Sequence, residues 1–109
     1  MDSKTLRELY DALGVTRRAI QGYEKAGLVS ATSKNKYGHL LYDKAAQDRI
    51  KLIKLYQQLG FQIAEIKYLI DAPGHIVKAA LEQRILVLRA KQIEIDDLIQ
   101  KAYKLIQNL

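Results

Sequence analysis

Cysteine is absent from the 109-residue chain, and with it go disulfides, thiolate metal sites and cysteine nucleophiles. Proline occurs once and glycine six times, too little turn punctuation for a β-sandwich. Tryptophan is missing, and seven tyrosines with one phenylalanine make up the aromatic content. No run approaches the ~20 apolar residues that cross a bilayer. Ile85-Leu86-Val87-Leu88 meets Arg89 at once. Met1-Asp2-Ser3-Lys4 leads into no apolar stretch of signal-peptide type. The expectation is a small, basic, cytoplasmic protein with no membrane partner.

Catalytic equipment is equally thin. The two histidines, His39 and His75, lie far apart in sequence, and no His/Asp/Glu spacing matches a metal site. Asp96 and Asp97 are adjacent, and on a helix neighbours point about 100° apart, so they form a solvated face rather than a carboxylate pair. There is no glycine-rich phosphate loop and no nucleophile elbow. We expect no enzyme, no catalytic residue, no cofactor and no metal.

Positive charge is present, and unevenly. Residues 1–56 hold eleven Lys and Arg against six acids, whereas residues 57–109 hold seven against six, out of a net charge of +6. A basic half joined to a near-neutral half points to one part meeting a polyanion.

The punctuation that does occur outlines the elements. Thr5-Leu6-Arg7-Glu8 has the form of a capping box, and Leu6, Leu9, Tyr10 and Leu13 follow at helical spacing up to Gly14. Thr16 is a good N-cap for a second helix from Arg17 to about Ala26, closed by Gly27. Two short helices around so tight a turn match a helix-turn-helix. Leu28–Tyr42 has no helical period, and its ends, Leu28-Val29 and Leu40-Leu41-Tyr42, are expected to pair as two strands of a wing with a polar, basic tip. Asp43 caps a third helix with the apolar stripe Ala46, Ile50, Ile53, Leu55 and Tyr56, and a fourth begins near Gln62. Asp71-Ala72-Pro73-Gly74 is the strongest breaker and sets a boundary between a head, residues 1–72, and a tail, residues 75–109.

In the tail, alternating steps of four and three pick out Leu81, Ile85, Leu88, Gln92, Ile95, Ile99, Ala102, Ile106 and Leu109. This is the seam of a coiled coil, with Leu86, Ile93, Leu98 and Leu105 as a second row. A helix from about His75 to Asn108 has more apolar surface than the head can cover, which predicts a homodimer joined through Leu81, Ile85, Leu88, Ile95, Ile99 and Ile106, the alternative being a long helix folded back on its own head.

Within the head, Thr16-Arg17-Arg18-Ala19-Ile20-Gln21-Gly22-Tyr23 carries the functional signal. With Ile20 and Tyr23 turned inward, Arg17, Arg18 and Gln21 share the outer face near the helix start, the part that meets base edges in a major groove. Arg suits guanine and Gln suits adenine, so Arg17 and Gln21 are expected to read bases. The Thr16 hydroxyl, Arg18, Tyr23, Lys34, Lys36 and Tyr37 are expected to hold phosphates.

These residues resemble the MerR family of bacterial transcriptional regulators. Gly14-Val15-Thr16-Arg17-Arg18-Ala19-Ile20-Gln21-Gly22-Tyr23-Glu24-Lys25-Ala26-Gly27-Leu28 is similar to the family's recognition-helix signature, and Leu59-Gly60-Phe61-Gln62-Ile63-Ala64-Glu65-Ile66-Lys67 to a second segment. The tail looks most like that of the TipA/Mta branch. The resemblance implies a mainly α fold: a winged helix-turn-helix head with a short two-stranded wing, then a long C-terminal helix forming an antiparallel coiled-coil dimer. It also implies binding to double-stranded DNA at a pseudo-palindromic promoter site, distortion of that DNA, and indirect contact with RNA polymerase. Carried over by position, it adds His39 and Tyr42 to the DNA-binding residues. Gln21 stands where the family usually has Arg, Gly22 and His39 where it has Tyr, and Leu40 where the wing has Arg. The lack of thiols excludes a cysteine-based metal sensor of this family. Two other readings stay open on the residues themselves: an architectural or recombination-accessory DNA-bending protein, and a protein-interaction adaptor.

Overall fold

Helices begin where the chain supplies its own caps. In the computed structural model, which describes residues 2–109, α1 spans Leu6–Leu13. The Thr5 hydroxyl accepts the Glu8 N–H, and the Glu8 carboxylate accepts the Thr5 N–H at 3.0 Å. These bonds hold the Glu8 carboxyl below the usual range, the Thr5 backbone N–H contributing most. Thr16 caps α2 (Arg17–Lys25) by accepting from the Ala19 N–H at 3.1 Å. Asp43 caps α3 (Lys44–Leu59) by accepting from the Ala46 N–H at 2.9 Å. At the start of α4 (Ile63–Leu69) the Glu65 carboxylate accepts the Gln62 N–H, so the first-turn acid satisfies an otherwise orphaned donor. After the breaker, α5 runs Gly74–Gln107. The fold is mainly helical, and the chain divides into two compact units, one ending at Asp71 and the other Ala72–Leu109.

The head's core is built by residues at helical spacing from its four helices. Leu9, Ile20, Ile50, Ile53 and Ile66 are fully buried, and Leu69 and Tyr56 nearly so. Leu55, expected on the inner stripe of α3, is half exposed. The wall is instead Ala46, Ile50, Ile53 and Tyr56, with Gln47 beside them. Gln47 is buried without penalty because its amide donates to the carbonyls of Tyr42 and Asp2. At the end of α3 the Phe61 N–H donates to the Tyr56 carbonyl at 3.0 Å. The two rings meet edge to face at 5.7 Å, the apolar contact that closes such a turn.

The wing is real but starts later than Leu28-Val29. Its strands are β1 (Ser33–Lys34) and β2 (Leu40–Leu41), antiparallel, with Ser33 opposite Leu41 and Lys34 opposite Leu40. Leu28 and Val29 are taken by the core instead, for a local reason. Gly27, at φ 77°, closes α2 with its N–H on the Glu24 carbonyl and the Leu28 N–H on the Tyr23 carbonyl. That turn drives Leu28 inward, to 2% exposed, and no residue with a Cβ adopts it as readily as glycine. The second end of the expected hairpin is correct, and Tyr42 continues it by bridging to Lys4 ahead of α1.

In α5 none of the described residues is buried. Among the described residues no helix is long and apolar enough to cross a membrane.

Candidate nucleic-acid interface

The outer face of α2 is set by its inner one. Ile20 is fully buried and Tyr23 is 3% exposed. By helical geometry this turns Thr16, Arg17, Arg18, Gln21, Gly22 and Lys25 to solvent, where the structure finds them. Lys54 fixes the turn between α1 and α2: its ammonium donates to the Leu13 carbonyl at 2.8 Å, at the C-terminal end of α1 where a cation is favoured. Thr16 accepts with its oxygen at the helix cap, which leaves its hydroxyl proton able to donate outward.

At the wing tip, the Asn35 side chain accepts the N–H groups of Tyr37 and His39 at 2.9 and 3.0 Å. Gly38, at φ 82°, completes the turn in a conformation that suits glycine. The result presents Lys34, Lys36, Tyr37 and His39 to solvent. The Lys36 ammonium lies 5.1 Å from the Tyr37 ring centre, and the Tyr37 and His39 rings are 6.3 Å apart. A cation and two rings on one tip suit a sugar–phosphate backbone.

The wing and α2 meet across a cleft of about 440 Å³ lined by Thr5, Leu6, Arg7, Arg17, Gly38, His39 and Leu40. It brings together two residues singled out from sequence, Arg17 and His39, and adds one that was not, Arg7. Two guanidiniums and an imidazole edge around one open cleft make an anion-attracting surface. Arg7 lies in the first turn of α1, and its signal was weak: a single arginine inside a capping box, separated from Arg17 by ten positions. The ion pairs Lys44–Asp48 and Arg49–Asp71 lie elsewhere in the head and involve none of Arg7, Arg17 and Arg18.

Two expected DNA contacts, one read from the residues and one carried over by the resemblance, are corrected. Tyr23 is 3% exposed, and its hydroxyl donates to the Gln57 side chain at 2.6 Å. Tyr42 is fully buried, and its hydroxyl donates to the Glu24 carboxylate. Burial pushes both phenols up, that of Tyr42 strongly because the Glu24 carboxylate adds to the effect. A ring sealed in the core has no face left for DNA. Their hydroxyls serve internal contacts instead: Tyr42 ties the base of the wing to α2 through Glu24 and, by its backbone, to the start of α1 through the Lys4 bridge.

The expected dimer residues all lie in α5. Ile85, Ile95, Ile99 and Ile106 are 46–62% exposed, and Leu81 and Leu88 are partly covered. Among the described residues no group of three or more His, Cys, Asp or Glu is placed to hold a metal ion.

Comparison with known proteins agrees with this geometry. Residues 4–72 match the model of the MerR HTH family regulatory proteins, and residues 47–109 match a model described as MerR, DNA binding. The transcriptional activator mta of Bacillus subtilis is 28% identical over 95 residues, which cover 87% of this chain and 37% of that protein. The transcriptional activator TipA of Streptomyces coelicolor is 33% identical over 78 residues, covering 72% of this chain and 31% of that protein. The chain thus spans about a third of the length of these relatives. The crystal structure of MtaN, the N-terminus of the Bacillus subtilis multidrug transporter activator, superposes with a TM-score of 0.70 at 26% identity. It covers 94% of this chain and 97% of that one.

Proposed function

The chain belongs to the MerR family of helix-turn-helix regulatory proteins, and from that premise we propose that it is a sequence-specific DNA-binding transcriptional regulator. It acts as a cytoplasmic homodimer on double-stranded DNA and catalyses no reaction. One observation carries the reading: α2 offers Arg17, Arg18 and Gln21 on one open face, beside a cleft that adds Arg7 and a wing that adds Lys34, Lys36, Tyr37 and His39. In this role Arg17 and Gln21 meet base edges, while Thr16, Arg18, Arg7 and the wing tip hold phosphates.

The dimer is supported by α5, a 34-residue helix with no buried residue, whose seam leaves Ile85, Ile95, Ile99 and Ile106 exposed. Exposed apolar rows of this length associate in water, and a second copy supplies a matching row. Pairing the two helices antiparallel, as the resemblance implies, sets two heads on a pseudo-palindrome. Distortion of the promoter between them is then offset by phosphate contacts from both heads, which is indirect readout. RNA polymerase is affected through the shape of the DNA.

Selection of bound duplexes from a pool with a randomised centre tests this directly. The expected result is a two-fold motif bound by a dimer. Bending with little sequence preference supports an architectural protein instead, and no binding near physiological salt leaves only an interaction adaptor.

A further inference from the structure

Gly22 is an anomaly inside α2. It lies within a nine-residue helix, its carbonyl accepts the Ala26 N–H at 3.0 Å, and its φ is not positive, so the backbone there suits any L-residue. A Cβ added at this position meets nothing within 4 Å. Folding therefore gives no reason for glycine, and helix propensity argues against it.

Arg18, Gly22 and Lys25 stand at i, i+4 and i+7 and form one row along the exposed face, with Arg17 and Gln21 as the row beside it. One row is a pair of cations separated by a residue with no side chain. The other holds the two groups suited to base edges.

We infer that Gly22 is where the DNA sugar–phosphate backbone comes closest to α2, a phosphate settling between Arg18 and Lys25 against the bare helix surface. The missing side chain sets how deep the helix enters the groove. Lys25 becomes a phosphate contact, and the two rows divide the work, one on the backbone and one on the bases. This inference rests on the DNA-binding reading above.

The test compares Gly22→Ala, Lys25→Ala and Gly74→Ala with the unaltered chain. Gly74 is a suitable control because a Cβ there also meets nothing within 4 Å and the residue is in α5. Affinity is measured by fluorescence anisotropy on the duplex selected from the randomised pool and on an unrelated duplex. Gly22→Ala is expected to raise Tm by about 5 °C while weakening binding about tenfold or more on both duplexes. Lys25→Ala is expected to weaken both equally and to lower the salt slope by about one. Gly74→Ala is expected to leave binding unchanged.

Binding by Gly22→Ala as tight as that of the unaltered chain overturns the inference, as does a loss confined to the selected duplex, which would place Gly22 over the bases. Should the unaltered chain bind neither duplex, the regulator reading itself falls and this inference falls with it. The two failures are therefore distinguishable.

Discussion

The head and α5 use the same kind of apolar side chain to opposite ends. In the head, Ile50, Ile53 and Ile66 are fully buried, and among the described residues every buried side-chain nitrogen and oxygen has a hydrogen-bond partner. In α5, Ile93, Ile95 and Ile106 are 57–65% exposed. Hydrophobicity does not separate the two regions. Geometry does, because the head's stripes lie on separate short helices that close around one another, whereas α5 carries its stripe on a single rod. A rod cannot bury its own seam. On the proposed dimer, the head's stability is intrinsic, while that of α5 depends on how much of a second copy is present.

Two substitutions can break that comparison. Ile95→Asp puts a charge into the seam of each partner and is expected to weaken the dimer by at least about 4 kcal/mol, roughly a thousandfold. Light scattering should then show monomers with the head still folded; a variant that stays dimeric places the interface elsewhere. Ile50→Ala hollows the head instead, at a cost of about 3 kcal/mol. Its loss of Tm should be the same at every protein concentration. A concentration-dependent loss would mean that the head also relies on a second copy.

The same contrast explains what the amino-acid order disclosed. Helix starts were legible because a cap is a local event: Thr5, Thr16 and Asp43 each satisfy an N–H three residues on. The reading face was legible because two inward residues, Ile20 and Tyr23, fix the direction of the rest. Tyr23 and Tyr42 were misassigned because a tyrosine looks the same in a sequence whether its hydroxyl reaches DNA or another side chain 18 or 34 positions away. Leu28 went astray through the Gly27 turn, whose depth in the core is a tertiary fact. Arg7 was invisible for the same reason, since only folding brings it to Arg17.

Within the head, the contrast narrows to surface against support. Arg18→Ala is expected to weaken binding by about 1–3 kcal/mol on every duplex, whereas Arg17→Ala by a similar amount chiefly relaxes preference. Gel shifts on selected and unrelated duplexes separate the two, and equal loss of preference from both contradicts the division of labour. Tyr42→Phe should do neither. Removing its hydroxyl from the Glu24 carboxylate is expected to cost about 1–2 kcal/mol of stability in thermal melts, with the salt slope of DNA binding unchanged. A reduced slope would return Tyr42 to the interface.

The smallest effect sharpens the comparison at the head's last residue. Asp71 receives both terminal nitrogens of Arg49 at 2.9 and 2.8 Å, while the Arg49 Nε–H donates to the Leu28 carbonyl. Arg49 thereby joins the Gly27 turn to the end of the head. Its guanidinium holds the Asp71 carboxyl below the usual carboxylate range. A depressed carboxylate stabilises the fold fully above its unfolded value and loses that contribution as pH falls through its folded one. The gap in Tm between the unaltered chain and Asp71→Asn should therefore be greatest near neutral pH and close on acidification. Because Asp71 is exposed, added salt should shrink the gap as well. A gap that ignores both pH and salt would show that Asp71 acts through its place in the chain rather than its charge.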